Sequence, residues 1–135
     1  MCGGRGTRLR GADSDPDAPE KPLVEVGGAS MLSRVVDALR GSGVGSIHAV
    51  VSPQAPDTAD RARRLSVPTI ETDGDGYVPD LRTALDAVGR PAVTVPADLP
   101  LVAPANVDDA IARSRRRGDG DDPTSLTVCV PAALK

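Results

Sequence analysis

A chain of 135 residues suits one domain of modest size, and with no Trp, no Phe and one Tyr its core must come from Val, Leu, Ala and a few Ile. The formal net charge of -3 argues against a surface that binds nucleic acid, and no stretch approaches the roughly 20 apolar residues that span a bilayer. Cys2 and Cys129 stand at opposite ends, without CxxC spacing and beside a single His, which supports neither a zinc cluster nor a disulfide framework. No leader-like segment stands ahead of the first motif, so the expected compartment is the cytoplasm.

The chain opens with "MCGGRGTRLRG", a glycine-rich turn studded with arginines, and passes into the acidic stretch "GADSDPDAPE" (11–20), expected to be a mobile loop. After "EKPLVEV", the residues Met31, Leu32, Val35, Val36 and Leu39 share one helical face; Ser30 can cap its start and "GSG" at 41–43 ends it. "IHAVV" (47–51) reads as a buried strand running into the "SPQAP" loop, with His48 a core or sheet-face residue without a role. A helix over roughly 57–65 leads to "VPTIE", a further strand. Beyond "TDGDGY", Val78, Leu81, Ala84, Leu85 and Val88 recur at helical spacing, and "PAVTVPADLPLV" (91–102) gives a strand that breaks at Pro96. Residues 105–117 form a helix closing in "RSRRR", where cations suit a helix C-terminus, and "SLTVCV" (125–130) is a last strand. Strands alternating with helices predict an α/β fold: a parallel sheet covered on both faces, with ligands at the carboxyl ends of the strands.

Four segments carry chemistry. Gly3, Gly4 and Gly6 allow close approach of a ligand, while Arg5 and Arg8 can give charge-assisted hydrogen bonds to phosphate oxygens. Neither a Walker A motif nor GxGxxG is present, since Leu9 stands where the third glycine would be; a flexible turn with solvated arginines is the alternative. Lys21 is one of only two lysines, and the Pro22 that follows makes it a stiffly held point charge for a polyphosphate; a surface lysine is the alternative. Asp98 lies at the end of an apolar strand between Pro96 and Pro100, a place for Mg²⁺ against a phosphate or for a plain turn-capping aspartate. In "ETDGDGYVPDL", Gly74 and Gly76 permit close approach to a ligand next to Tyr77 and Asp80 lies at the start of a helix, although an Asp-Gly turn capping that helix explains most of the same residues.

Taken in order, a Gly-Gly-Arg-Gly-Thr-Arg loop, Lys-Pro-Leu, a capped helix and an Ala-Asp-Leu strand end resemble the nucleotidyltransferase superfamily of sugar-phosphate and molybdenum-cofactor nucleotidylyltransferases. Within it, "VVSPQAP", "TDGDGYVPDL" and "VTVPADLPLV" resemble the archaeal adenosylcobinamide-phosphate guanylyltransferases of cobalamin assembly. The resemblance runs from Cys2 to about Pro131 and implies a Rossmann-like three-layer sandwich with a mostly parallel sheet, as in nucleotide-diphospho-sugar transferases, with residues 1–135 as a single domain. It further implies that Gly3, Gly4, Arg5, Gly6, Thr7 and Arg8 wrap the nucleotide, that Arg8 and Lys21 neutralise its phosphates, and that Asp98 is the metal-binding acid. The "SPQAP" loop, with Ser52 and Pro53, and the "TDGDGY" loop, with Gly76 and Tyr77, would line the guanine and acceptor side.

Members of this superfamily begin with an apolar strand that runs into the glycine loop, and they continue for some tens of residues past the strand matching "SLTVCV". The first strand is therefore expected to be missing here, the chain being incomplete at both ends, and a second metal-binding carboxylate is left unassigned. The implied reaction moves GMP from GTP to adenosylcobinamide phosphate with release of pyrophosphate, using Mg²⁺; a homodimer is compatible with it. A phosphate nucleophile is already anionic, so alignment and charge neutralisation suffice without a strong base. Rival readings are a molybdenum-cofactor guanylyltransferase, a sugar-phosphate nucleotidylyltransferase and a catalytically silent GTP-binding domain.

Overall fold

The computed structural model describes residues 18–117, and the glycine-rich opening and "SLTVCV" lie outside that range. The first element is a single 3-10 turn, Lys21–Leu23, entered at a proline: Pro22 has no N–H to leave unpaired and its ring is buried. A small antiparallel hairpin follows, β1 (Glu25–Val26) and β2 (Ala29–Ser30), with Val26 opposite Ala29. Two residues close it, Gly27 and Gly28, both at positive φ (56° and 80°), the backbone that a two-residue hairpin turn requires. Arg34 pins this hairpin to the next helix: its Nε donates to the Val26 carbonyl at 2.5 Å and its guanidinium to that of Gly27 at 2.8 Å.

Helix α1 (Met31–Arg40) starts where the sequence places it. The Ser30 hydroxyl accepts the Ser33 amide at 3.2 Å, satisfying one of the free donors of the first turn, and Gly41 closes the other end. Its inward face carries Leu32, Val35 and Val36, all nearly inaccessible to solvent. Then come β3 (Ala49–Val51), α2 (Pro56–Arg64) and β4 (Thr69–Glu71). β3 and β4 pair in parallel with Ala49 opposite Thr69 and Val51 opposite Glu71, and α2 is their crossover. Ala49 and Val51 face a core completed by Leu32, Val36, Ala59, Ala62, Val67 and Ala97. The small alanines of α2 let that helix lie close on the sheet, which is how a core without large aromatics closes.

Helices α3 (Tyr77–Val88) and α4 (Pro104–Arg117) complete the described residues. The α/β class and the parallel pairing agree with the sequence reading, and two expectations need correction. The apolar face expected for α3 is covered only in its middle: Ala84 is buried, while Val78 is 72% and Val88 43% exposed. The strand expected in "PAVTVPADLPLV" does not form; residues 92–96 belong to no sheet among the described residues, and Val93 is 44% exposed. A strand exists through the ladder it shares with a neighbour. Between this segment and β3 lies a cavity of about 360 Å³, walled by His48 and Val50 on one side and Val93 and Val95 on another.

Candidate functional site

The loops that follow β3, β4 and the 92–97 segment gather at one end of the molecule, and the sequence-predicted residues within the described range sit on them. The principal contact joins Lys21 to Asp98: the ammonium donates to the Asp98 carboxylate oxygen Oδ2, with each side chain about one-third exposed. Lys21 owes its place to the 3-10 turn, in which the Leu23 amide donates to the Glu20 carbonyl at 2.7 Å. Asp98 owes its place to Ala97, buried in the core one residue earlier. The chain thus brings a cation and an anion together at the rim while anchoring the backbone of each inside. Both groups stay within reach of solvent, so a phosphate or a hydrated cation can compete for them.

Lys21 sits close to the start of α2. The Glu20 carboxylate accepts the amides of Asp57 at 3.1 Å and Thr58 at 2.8 Å, in the first turn of that helix. This corrects the expectation of a mobile acidic loop at Glu20, while residues 11–17 lie outside the described residues. Glu20 was not singled out as a site residue; the signal lay in "SPQAP", which ends in a helix start without a capping side chain and so requires an acceptor from elsewhere.

Of the "SPQAP" loop, Ser52 is buried and its carbonyl accepts the Ala55 amide at 3.0 Å, whereas Pro53 is exposed. The Ser52 hydroxyl makes no hydrogen bond among the described residues. This loop meets the "TDGDGY" loop directly. Gly74, at φ +74°, packs so closely against Gln54 that a Cβ there would stand 2.2 Å from Gln54 Oε1. Asp80, 4% exposed, reaches back from α3 and accepts the Gly74 amide at 3.2 Å, so it holds the loop rather than capping the helix. The helix is instead entered through Gly76, at φ +128°, whose carbonyl accepts the Asp80 amide at 3.1 Å. Gly76 has open space around it and Tyr77 is 61% exposed, so this tip is accessible.

Lys21, Asp98, the 52–56 loop and the 72–76 loop therefore form one connected rim. Gly3, Gly4, Arg5, Gly6, Thr7 and Arg8 lie outside the described residues. His48 lies away from the rim, on the cavity beside β3, its ring nitrogens buried without a hydrogen-bond partner among the described residues. In donor type, Asp98 suits Mg²⁺, a hard cation that commonly takes one or two carboxylates and fills its remaining positions with phosphate oxygens and water. No cluster of three or more His, Cys, Asp or Glu side chains stands ready for a metal among the described residues.

The parallel β3-α2-β4 unit defines a Rossmann-like α/β domain, and the chain belongs to the MobA-like NTP transferase domain family, which matches residues 1–131. Two curated relatives narrow the comparison. An adenosylcobinamide-phosphate guanylyltransferase of Methanocaldococcus jannaschii is 32% identical over 104 residues, covering 73% of this chain and 50% of the relative. A phosphoenolpyruvate guanylyltransferase of Rubrobacter xylanophilus is 39% identical over 104 residues, again 73% of this chain and 50% of the relative. The chain thus spans about half the length of the curated relatives it matches.

Proposed function

We propose that this domain transfers GMP from GTP to a phosphorylated acceptor, adenosylcobinamide phosphate in the first instance, with release of pyrophosphate. The observation that carries the reading is the meeting of Lys21 and Asp98 at the carboxyl-end rim. In the reaction an oxygen of the acceptor phosphate forms a bond to the α-phosphorus of GTP. The bond from that phosphorus to the bridging oxygen breaks, and pyrophosphate departs with the electron pair. Since the nucleophile is anionic, the protein's work is to align two anions and to stabilise the charge that moves onto the leaving group.

Lys21 is the cation for that charge: its ammonium, released from Asp98 when a polyphosphate arrives, is already aimed at the rim. Asp98 would hold Mg²⁺, which when bound neutralises phosphate charge. Arg5 and Arg8 with Gly3, Gly4, Gly6 and Thr7 are assigned to the triphosphate. Ser52 and Pro53 with Gly76 and Tyr77 are assigned to the base and acceptor side. That placement is supported by the contact between Gln54 and Gly74, which joins the two loops into one wall.

A second acceptor has its own support. The relative named for phosphoenolpyruvate shares 39% identity with this chain, and phosphoenolpyruvate also offers a phosphate oxygen as nucleophile. The experiment is pyrophosphate release from GTP and Mg²⁺ with either acceptor, with ATP as the base control. It is run on the 135-residue chain and on a form completed to the length of its relatives. Turnover with adenosylcobinamide phosphate alone supports the first reading, and turnover with phosphoenolpyruvate alone replaces it. GTP binding without release by either form would leave a silent nucleotide-binding domain.

A further inference from the structure

We propose that Glu20 is a positioning residue that fastens the Lys21 turn to the start of α2, so that the lysine and the 52–56 loop move as one body. The argument begins with an unmet need. A helix start leaves its first amides without intrahelical partners. In α2 the N-cap is Ala55, which has no side-chain acceptor, and Pro56 has no N–H, so Asp57 and Thr58 bear the first amides requiring one. Glu20, distant in sequence, supplies both acceptors, one carboxylate oxygen to each amide. Its negative charge also lies at the positive end of the helix.

The same residue shapes the lysine. The Glu20 carbonyl accepts the Leu23 amide that closes the turn carrying Lys21, so its side chain grips α2 while its backbone bends the turn. Lys21 itself is directed to Asp98. The Glu20 carboxylate serves the helix amides and the Asp98 carboxylate serves the ammonium, so each acid has a separate task. With its amides taken by Glu20, the start of α2 holds a carboxylate of this chain instead of offering itself to a substrate phosphate.

A plain helix cap would have the same hydrogen bonds, and a second substitution separates the two roles. Glu20→Ala removes both the cap and the tie, whereas adding Ala55→Ser gives α2 a cap of its own without restoring the tie. Lys21 and Lys135 are the only lysines, so competitive acetylation, read by mass spectrometry, reports on Lys21 with Lys135 as internal reference. Glu20→Ala is expected to raise Lys21 acetylation severalfold relative to Lys135. In Glu20→Ala/Ala55→Ser the thermal midpoint should recover while the raised acetylation persists. Under the nucleotidyl-transfer reading, on which only this part rests, kcat stays down about tenfold or more in both variants while the KM for GTP changes little.

Unchanged Lys21 acetylation in Glu20→Ala, or its full return in the double variant, would overturn the proposal. If the parent chain shows no turnover with any acceptor but the acetylation pattern appears, the positioning role stands and the functional reading falls. Should Glu20→Ala fail to give a cooperative melt, Glu20→Gln, which keeps one acceptor oxygen, takes its place. A smaller rise in acetylation is then expected, and no rise would overturn the proposal.

Discussion

Lys21 and Asp98, 77 positions apart, meet through the lysine ammonium and one carboxylate oxygen at the rim formed by the loops that follow the strands. In a folded chain of this size such a pair contributes little to stability: with both side chains about one-third exposed, solvent screens the attraction and the contribution is about 0–1 kcal/mol. Under the proposed function, its place at the rim, rather than its strength, is what matters for a polyphosphate.

Replacing either partner should therefore separate activity from stability. Lys21→Ala and Asp98→Ala, each in a form completed to the length of its relatives, are expected to lower the rate of GMP transfer by two or more orders of magnitude. The thermal midpoint should move by no more than the ~1 kcal/mol of an exposed pair. Rates near the parent's would remove Lys21 and Asp98 from the site.

Gly74 offers a test of the wall between the two loops. Gly74→Ala places a methyl group 2.2 Å from Gln54 Oε1 and forces a side chain into left-handed backbone at φ +74°, which by itself costs about 1–2 kcal/mol. Gln54 is exposed and its amide can swing aside, so adding Gln54→Ala should recover little and leave the backbone part. A calorimetric comparison of the single and double variants checks this: near-equal losses are expected, and a large recovery in the double variant would show that Gln54 is held rigidly against Gly74.

The folding argument rests on the cap and the core of α1. Ser30→Ala removes the acceptor for the Ser33 amide and should cost about 1 kcal/mol. Leu32→Ala opens space among Val36, Val51 and Ala62 and should cost about 2–5 kcal/mol. Denaturant midpoints at constant slope give both values. A Leu32→Ala loss no greater than that of Ser30→Ala would mean that the core described around Val51 does not carry the fold.

Much of this architecture was legible in the residues themselves. The helix after Ser30, the "IHAVV" and "VPTIE" strands, and the helix after "TDGDGY" follow from periodicity, caps and glycines, because those signals are local. That Lys21 and Asp98 serve one reaction was legible only through the resemblance, and that they meet as an ion pair was not legible at all, because the contact joins side chains 77 positions apart. The uncapped start of α2 signalled that an acceptor was needed, but not that Glu20 supplies it. Its partners are backbone amides on a distant helix, and nothing about an acidic residue in an acidic stretch distinguishes it. The "PAVTV" run misled for the opposite reason: its composition is that of a strand, but forming one depends on a neighbour, and it joins neither sheet among the described residues. The "GG" at 27–28 was a hairpin signal passed over because the strands it joins are only two residues long.

The central claim is that Lys21 and Asp98 serve GMP transfer, and its most direct test is single-turnover release of pyrophosphate from GTP by the completed parent and by Lys21→Ala. The assay contains Mg²⁺ and adenosylcobinamide phosphate, with phosphoenolpyruvate in a parallel reaction. The account predicts that the parent releases pyrophosphate only when a phosphorylated acceptor and GTP are both present, and that Lys21→Ala still binds GTP but releases pyrophosphate at least about a hundredfold more slowly. Release at equal rates by parent and variant, or none by the parent despite bound GTP, would contradict it.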